Sequence, residues 1–159
     1  MSSLPDDTSS QTIFIKPGTY RGQVILKRRG PTTLQGYTED IKNQGANKVL
    51  LTNSLVASVA GSNSKSATLQ VYADDTKIYN INIENSYGTG GGRGAQAQAL
   101  ALSQSGLRNG YYGVGFLSYQ ACIIHFSFLP TYRLIRLPRT LSTPQAEPRS
   151  SVAPTSREQ

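Results

Sequence analysis

At 159 residues, with 37% hydrophobic and 16% charged side chains, the chain has room for one domain around one modest core. Its 15 glycines, 9 tyrosines and absent tryptophan, set among many Thr, Ser and Asn, favour sheet and turn over helix. The net charge of +7 is spread over residues 1–120, with 11 basic and 7 acidic side chains, and residues 121–159, with 5 and 2, so nothing marks a dedicated nucleic-acid binder.

The predicted elements are short. Residues 12–16 (TIFIK) form an apolar run closed by the Pro17-Gly18 turn, residues 23–27 end at the basic cluster Lys27-Arg28-Arg29, and residues 32–35 end at Gly36. Runs of four or five residues are too short for helices and suit strands. Further strand-like segments cover residues 48–52, 67–73, 77–84, 96–103 and 111–120, separated by Gly, Asn, Asp and Ser. In 77–84 the alternation is clearest, with Ile81 and Ile83 on one face and Asn80, Asn82 and Glu84 on the other. Without repeated two-residue hairpin turns, these segments predict about five stacked coils of an all-β solenoid, each burying its face on its neighbours. After Gln120 the composition changes: residues 121–159 hold five of the eight prolines and no glycine, which predicts a domain of 1–120 and a disordered or non-native Pro/Arg/Ser-rich tail of 121–159.

Taken alone, the polar residues offer little chemistry. The sole histidine, His125, lies among Ile124, Phe126 and Phe128, poorly placed for a Ser/His/Asp triad. GTGGGRG at 88–94 lacks the Lys-Ser/Thr of a phosphate loop and reads as a connection between coils. Asp6-Asp7 and Asp74-Asp75 read as turn residues, Lys27-Arg28-Arg29 as a solvated strand end or turn with an anion-contacting patch as the alternative, and no cluster has metal-ligand spacing. Cys122 is the lone cysteine, so no intrachain disulfide can form. MSSLPDDTSS has neither region of a signal peptide, and no run approaches the roughly 18 apolar residues of a membrane span.

The stretch from 94 to 120 is different. Gln98 opens QALAL, Gly110-Tyr111-Tyr112 follows, and Tyr119-Gln120 closes the stretch, the two glutamines standing 22 residues apart. These resemble, in order and spacing, the Gln-Ala-x-Ala-Leu/Val, Gly-Tyr-Tyr and Gly-Tyr-Gln-Asp-Thr motifs of the pectinesterases, with Ser118 in place of the Gly. IFIKPGTYRGQV, LQGYTED, SAT at 66–68 and YADDTKIYNINIENSYG resemble further segments in family order, from about Leu4 to Gln120. The likeness is to fungal-type members, here truncated at both ends.

The resemblance implies a right-handed parallel β-helix that hydrolyses methyl esters of polygalacturonate (pectin) to pectate and methanol. It implies an extracellular setting, no cofactor, a monomer once folded, and neither nucleic acid nor membrane as partner. In that family one aspartate attacks the ester carbonyl, a second acts as general acid/base, an arginine orients the nucleophile and glutamine amides stabilise the oxyanion. Gln98 and Gln120 match those glutamines, and an uncharged amide suits the task because it donates N–H to a charge that develops only during reaction. Alternation places Gln96, Gln98, Leu100 and Leu102 on one face of their strand and alanines 97, 99 and 101 on the other, so that Gln96 flanks Gln98 if Gln98 faces a cleft. Tyr111, Tyr112 and Tyr119 read as packing residues.

The departures bear on activity. Gly22 replaces a family Glu, Ala121 stands where the first catalytic aspartate belongs, Cys122 replaces its Thr, and no aspartate follows Asp75. The Asp-Phe-Ile-Phe-Gly and Gly-Arg-Pro-Trp segments have no counterpart. The sequence therefore predicts a catalytically deficient pectinesterase relative, with a non-catalytic solenoid that binds anionic polysaccharide as the alternative.

Overall fold

In the computed structural model, residues 6–88, 98–119 and 121–125 are described. They form a right-handed parallel β-helix of twelve short strands in three parallel sheets. Sheet A stacks β1 (Gln11–Ile15), β4 (Thr32–Gly36), β7 (Thr76–Tyr79) and β10 (Gly110–Tyr112). Sheet B stacks β2 (Gly18–Arg21), β5 (Val49–Asn53), β8 (Asn82–Asn85) and β11 (Gly115–Ser118). Sheet C stacks β3 (Val24–Leu26), β6 (Leu69–Val71), β9 (Leu100–Gln104) and β12 (Ala121–His125).

Each coil contributes one strand to each sheet, so the described residues make four coils rather than the expected five or so. The repeat is uneven: in sheet A equivalent residues lie 21, 44 and 33 positions apart from one coil to the next. The extra chain is accommodated at corners, where the single-turn helices α1 (Ala57–Ala60) and α2 (Asn63–Ser66) lie between β5 and β6. Ser62 caps α2 by accepting a hydrogen bond from the Lys65 N–H at 3.3 Å, and Gly61 ends α1 at φ 86°, in the left-handed region.

Stacking aligns like side chains. Ile13, Leu34, Ile78 and Tyr111 form one inward column, Leu51, Ile83 and Phe116 a second, and Val24, Leu69 and Leu102 a third, converging on a single core. Ile81 and Ile83 are fully buried while Asn82 and Glu84 are half-buried, in line with their alternation. The segment 77–84 is nevertheless two strands, because Asn80 turns the corner between sheets A and B at φ 53°. One coil later Gly113 does the same at φ 60°, and a Cβ there would meet Asn80 Oδ1 at 2.6 Å. Glycine is thus required for conformation and for space. The strand β2, placed where only a turn is expected after Pro17-Gly18, has all four residues exposed and so carries no hydrophobic signal.

The solenoid runs past the composition break at Gln120. Ala121–His125 continues sheet C, pairing with β9 in the register Ala121 with Leu100 and Ile123 with Leu102. The first residues assigned to the tail are therefore a strand of the fourth coil, whereas residues 126–159 lie outside the described residues. In the basic cluster Lys27 and Arg29 are exposed, as expected of a solvated strand end, but Arg28 is buried and donates to the Asp7 carboxylate and to Ser9 Oγ, which ties the N-terminal segment onto the first coil.

Candidate active site

Gln98 lies two residues before β9 and is half-buried. Its position is fixed by the backbone around it. The Gln98 carbonyl accepts from the Ala57 N–H at 2.8 Å, and the Ala99 carbonyl accepts from the Ser118 hydroxyl at 2.6 Å. The Leu100 N–H donates to Ser66 Oγ at 3.3 Å, and the Leu100 carbonyl accepts from the Thr68 N–H at 3.1 Å. Three consecutive residues are thus held by the α1–α2 segment, β11 and the residues leading into β6, which leaves the segment little freedom to shift.

Behind that clamp stands Asn85, which is only 1% exposed. Its side-chain amide nitrogen lies 2.9 Å from the Leu55 and Ser66 carbonyls and 3.1 Å from that of Leu100. Its oxygen accepts from the N–H groups of Leu55 and Tyr87, at 3.3 and 3.2 Å. One asparagine therefore joins the loop of one coil to the strand of the next. The preceding Glu84 extends the network, accepting from Thr52 Oγ1 at 2.7 Å on its carboxylate and from Thr68 Oγ1 at 2.7 Å on its carbonyl. The sequence places Asn85 and the Ser66–Thr68 triplet within motif-like segments; their role as the scaffold beneath Gln98 follows only from the way the coils stack.

Gln120 and Gln96 lie outside the described residues. The register offset between β9 and β12 is 21 residues, one short of the 22-residue interval between the two glutamines. Ala121 pairs with Leu100 and so lies one strand over and near Gln98 along the sheet. Strict alternation does not carry through to Gln98. The strand begins at Leu100, and Leu100, Ala101 and Leu102 are all buried, because β9 has α2 against it as well as the core.

The other candidate positions serve elsewhere. His125 pairs with Gln104 at the opposite end of β12 from Ala121. Tyr111 packs edge-on to Phe116 with centroids 5.6 Å apart and donates to Gln104 Oε1 at 2.7 Å, and burial pushes its phenol pKa far up. Tyr112 stacks on Tyr79 at 4.7 Å on the outside of sheet A, and Tyr119 is 70% exposed.

Asp74 and Asp75 hold the corner between sheets C and A. Asp74 Oδ1 accepts from the Leu107 N–H at 2.8 Å, while Asp75 receives Nε and Nη2 of Arg108 at 2.6 and 2.7 Å. The Arg108 hydrogen bonds hold the Asp75 carboxyl below its ordinary value of 3.8. A carboxyl whose folded pKa is depressed stabilises the fold fully above its unfolded pKa and loses that contribution as pH falls through the folded pKa. Asp75→Asn should therefore lower the melting temperature slightly above about pH 5 and flatten its fall between about pH 5 and pH 2 by the same amount, both effects being small because the pair is exposed. A variant whose acid limb overlays that of the wild type would rule out this contribution.

Comparison with known proteins places the chain's sequence and fold. No family model matches the chain. Pectinesterase A of Emericella nidulans is 41% identical over 119 residues, 75% of this chain and 35% of that protein. The crystal structure of the pectin methylesterase from Aspergillus niger is 38% identical, with a TM-score of 0.67 over 74% of this chain and 38% of that one. The pectin methylesterase PemA from Erwinia chrysanthemi, at 19% identity and a TM-score of 0.62, shares the fold. The chain spans about a third of the length of the curated relatives it matches. Over that third, in sequence and in fold, it is a relative of the fungal pectinesterases.

Proposed function

We propose that the chain binds methyl-esterified polygalacturonate on the outer side of sheet C, with the Gln98 side-chain amide directed at the ester carbonyl and Gln120 as its partner. The observation that carries this reading is the clamp on residues 98–100, which fixes Gln98 next to the strand position held by Ala121. Fixed N–H donors stabilise an oxyanion without reorganisation, and losing one typically costs about 10²–10³ in rate. Losing the nucleophile of a covalent mechanism can cost about 10⁶. With Ala121 at the position matched to the family's first aspartate, residues 1–159 by themselves turn over no ester and act as a polysaccharide-binding solenoid. Pectin is a wall polymer, so the proposed setting is outside the cell, and the proposed state is a monomer.

Methanol release from highly methylated pectin tests the catalytic half of this reading, and retention on immobilised pectin tests the binding half. The expected result is retention with methanol at the no-protein background. Methanol release well above background would overturn the proposed deficiency, and absence of retention would overturn the binding reading.

A further inference from the structure

Sheet C carries a second feature on its outer side. Val24 and Leu26 pack against the core, so alternation turns Ile25 and Lys27 outward, and Ile25 is in register with Gln70 and through it with Ser103 of β9. Tyr72, next after β6, is 45% exposed, and Lys27 Nζ sits 5.6 Å from the centre of its ring. The ring is held from behind: Tyr72 Oη donates to Gln70 Oε1 at 3.0 Å, and Gln70, 4% exposed, donates in turn to the Lys65 carbonyl at 3.4 Å. Arg28 is committed to Asp7, whereas Lys27 has no ion pair among the described residues. Asp6 is the carboxylate lining the adjoining hollow with Ile25 and Lys27.

A fixed aromatic ring, an aliphatic neighbour and an ammonium group with no ion pair fit a sugar ring that carries a carboxylate. The ring and Ile25 cover its C–H face, and Lys27 meets its charge. We propose that Ile25, Lys27 and Tyr72 form a subsite for a de-esterified galacturonate unit, on the sheet that Gln98 leads into and displaced from it across the strands and along the strand direction. The subsite rests on the pectic reading of Gln98 given above. It makes the chain prefer polymer that already carries free carboxylates at a distance from the ester it engages, because a methyl ester offers Lys27 no charge.

The test compares binding of the full chain to two oligogalacturonates of equal length, one fully de-esterified and one fully methyl-esterified. The wild type should bind the acid form about threefold more tightly, the range of an exposed ion pair, and salt should erode the difference. Lys27→Gln should abolish the preference, Lys27→Arg should keep it, and Tyr72→Ala should weaken both ligands about fivefold, as loss of an aromatic contact does. Lys27 is exposed, so circular dichroism should show all the Lys27 variants folded. Binding of both oligomers with a preference that is absent, or that survives Lys27→Gln, would overturn the subsite and leave the pectic reading standing. Binding of neither oligomer by the wild type would overturn both.

Discussion

Asn85→Ala is expected to lower the unfolding free energy by about 3 kcal/mol, among the larger effects a single polar substitution produces. The side chain lies within hydrogen-bond distance of the carbonyls of Leu55, Ser66 and Leu100 and the N–H groups of Leu55 and Tyr87. At 1% exposure water cannot replace it without opening the coil, and each buried group left without a partner costs about 1–3 kcal/mol. Some of these groups keep other partners: the Leu100 carbonyl still accepts from the Thr68 N–H, which places the total near one or two full penalties rather than five. For a domain of this size the loss corresponds to a fall in melting temperature of about 10 °C. Asn85→Asp should be at least as damaging, since a carboxylate offers no donor to three converging carbonyls. A drop below about 1 kcal/mol for Asn85→Ala, measured by thermal or denaturant unfolding, would mean that the loop over 55–66 is held by other contacts.

That network also marks the limit of what the sequence reveals. Ile81 and Ile83 announce their burial because β8 has one covered face and one polar face, the situation in which alternation is informative. In β9 the same rule misleads: covered by the core and by α2, Leu100, Ala101 and Leu102 are all buried, and a strand without a solvent face has no period to read. The coil count fails for a related reason. With offsets of 21, 44 and 33 residues the insertions at the corners outweigh the repeat, and the spacing between strand starts mixes strands with coils. Asn80 splits a continuous-looking strand by adopting a left-handed conformation that no pattern of hydrophobicity encodes. Arg28 is read as solvated because its partner Asp7 lies 21 residues away in sequence. Gln98 is singled out by its motif alone, and the structure adds the groups of Ala57, Ser66, Thr68, Asn85 and Ser118 that hold the backbone of residues 98–100.

The second large effect concerns catalysis and is read in a chimera with a longer relative. Residues 1–120 of this chain, joined to the part of Emericella nidulans pectinesterase A that follows its matched stretch, should release methanol from methylated pectin, because 119 residues match that protein at 41% identity. Within that chimera Gln98→Ala should lower kcat by about 10²–10³ with KM little changed, since an oxyanion donor acts on charge that exists only in the transition state. Gln98→Glu should be worse still: a carboxylate accepts rather than donates hydrogen bonds, and it places a negative charge against the developing oxyanion. Asn85→Ala in the same chimera should reduce kcat without an equal effect on KM at temperatures where it stays folded, because loosening Leu100 and the 55–66 loop disturbs the segment that aims Gln98. The two substitutions should then be less than additive, as expected when one residue works by positioning the other. Full additivity would separate Asn85 from the site and confine it to folding. An active chimera in which Gln98→Ala leaves kcat intact would remove Gln98 from the oxyanion role.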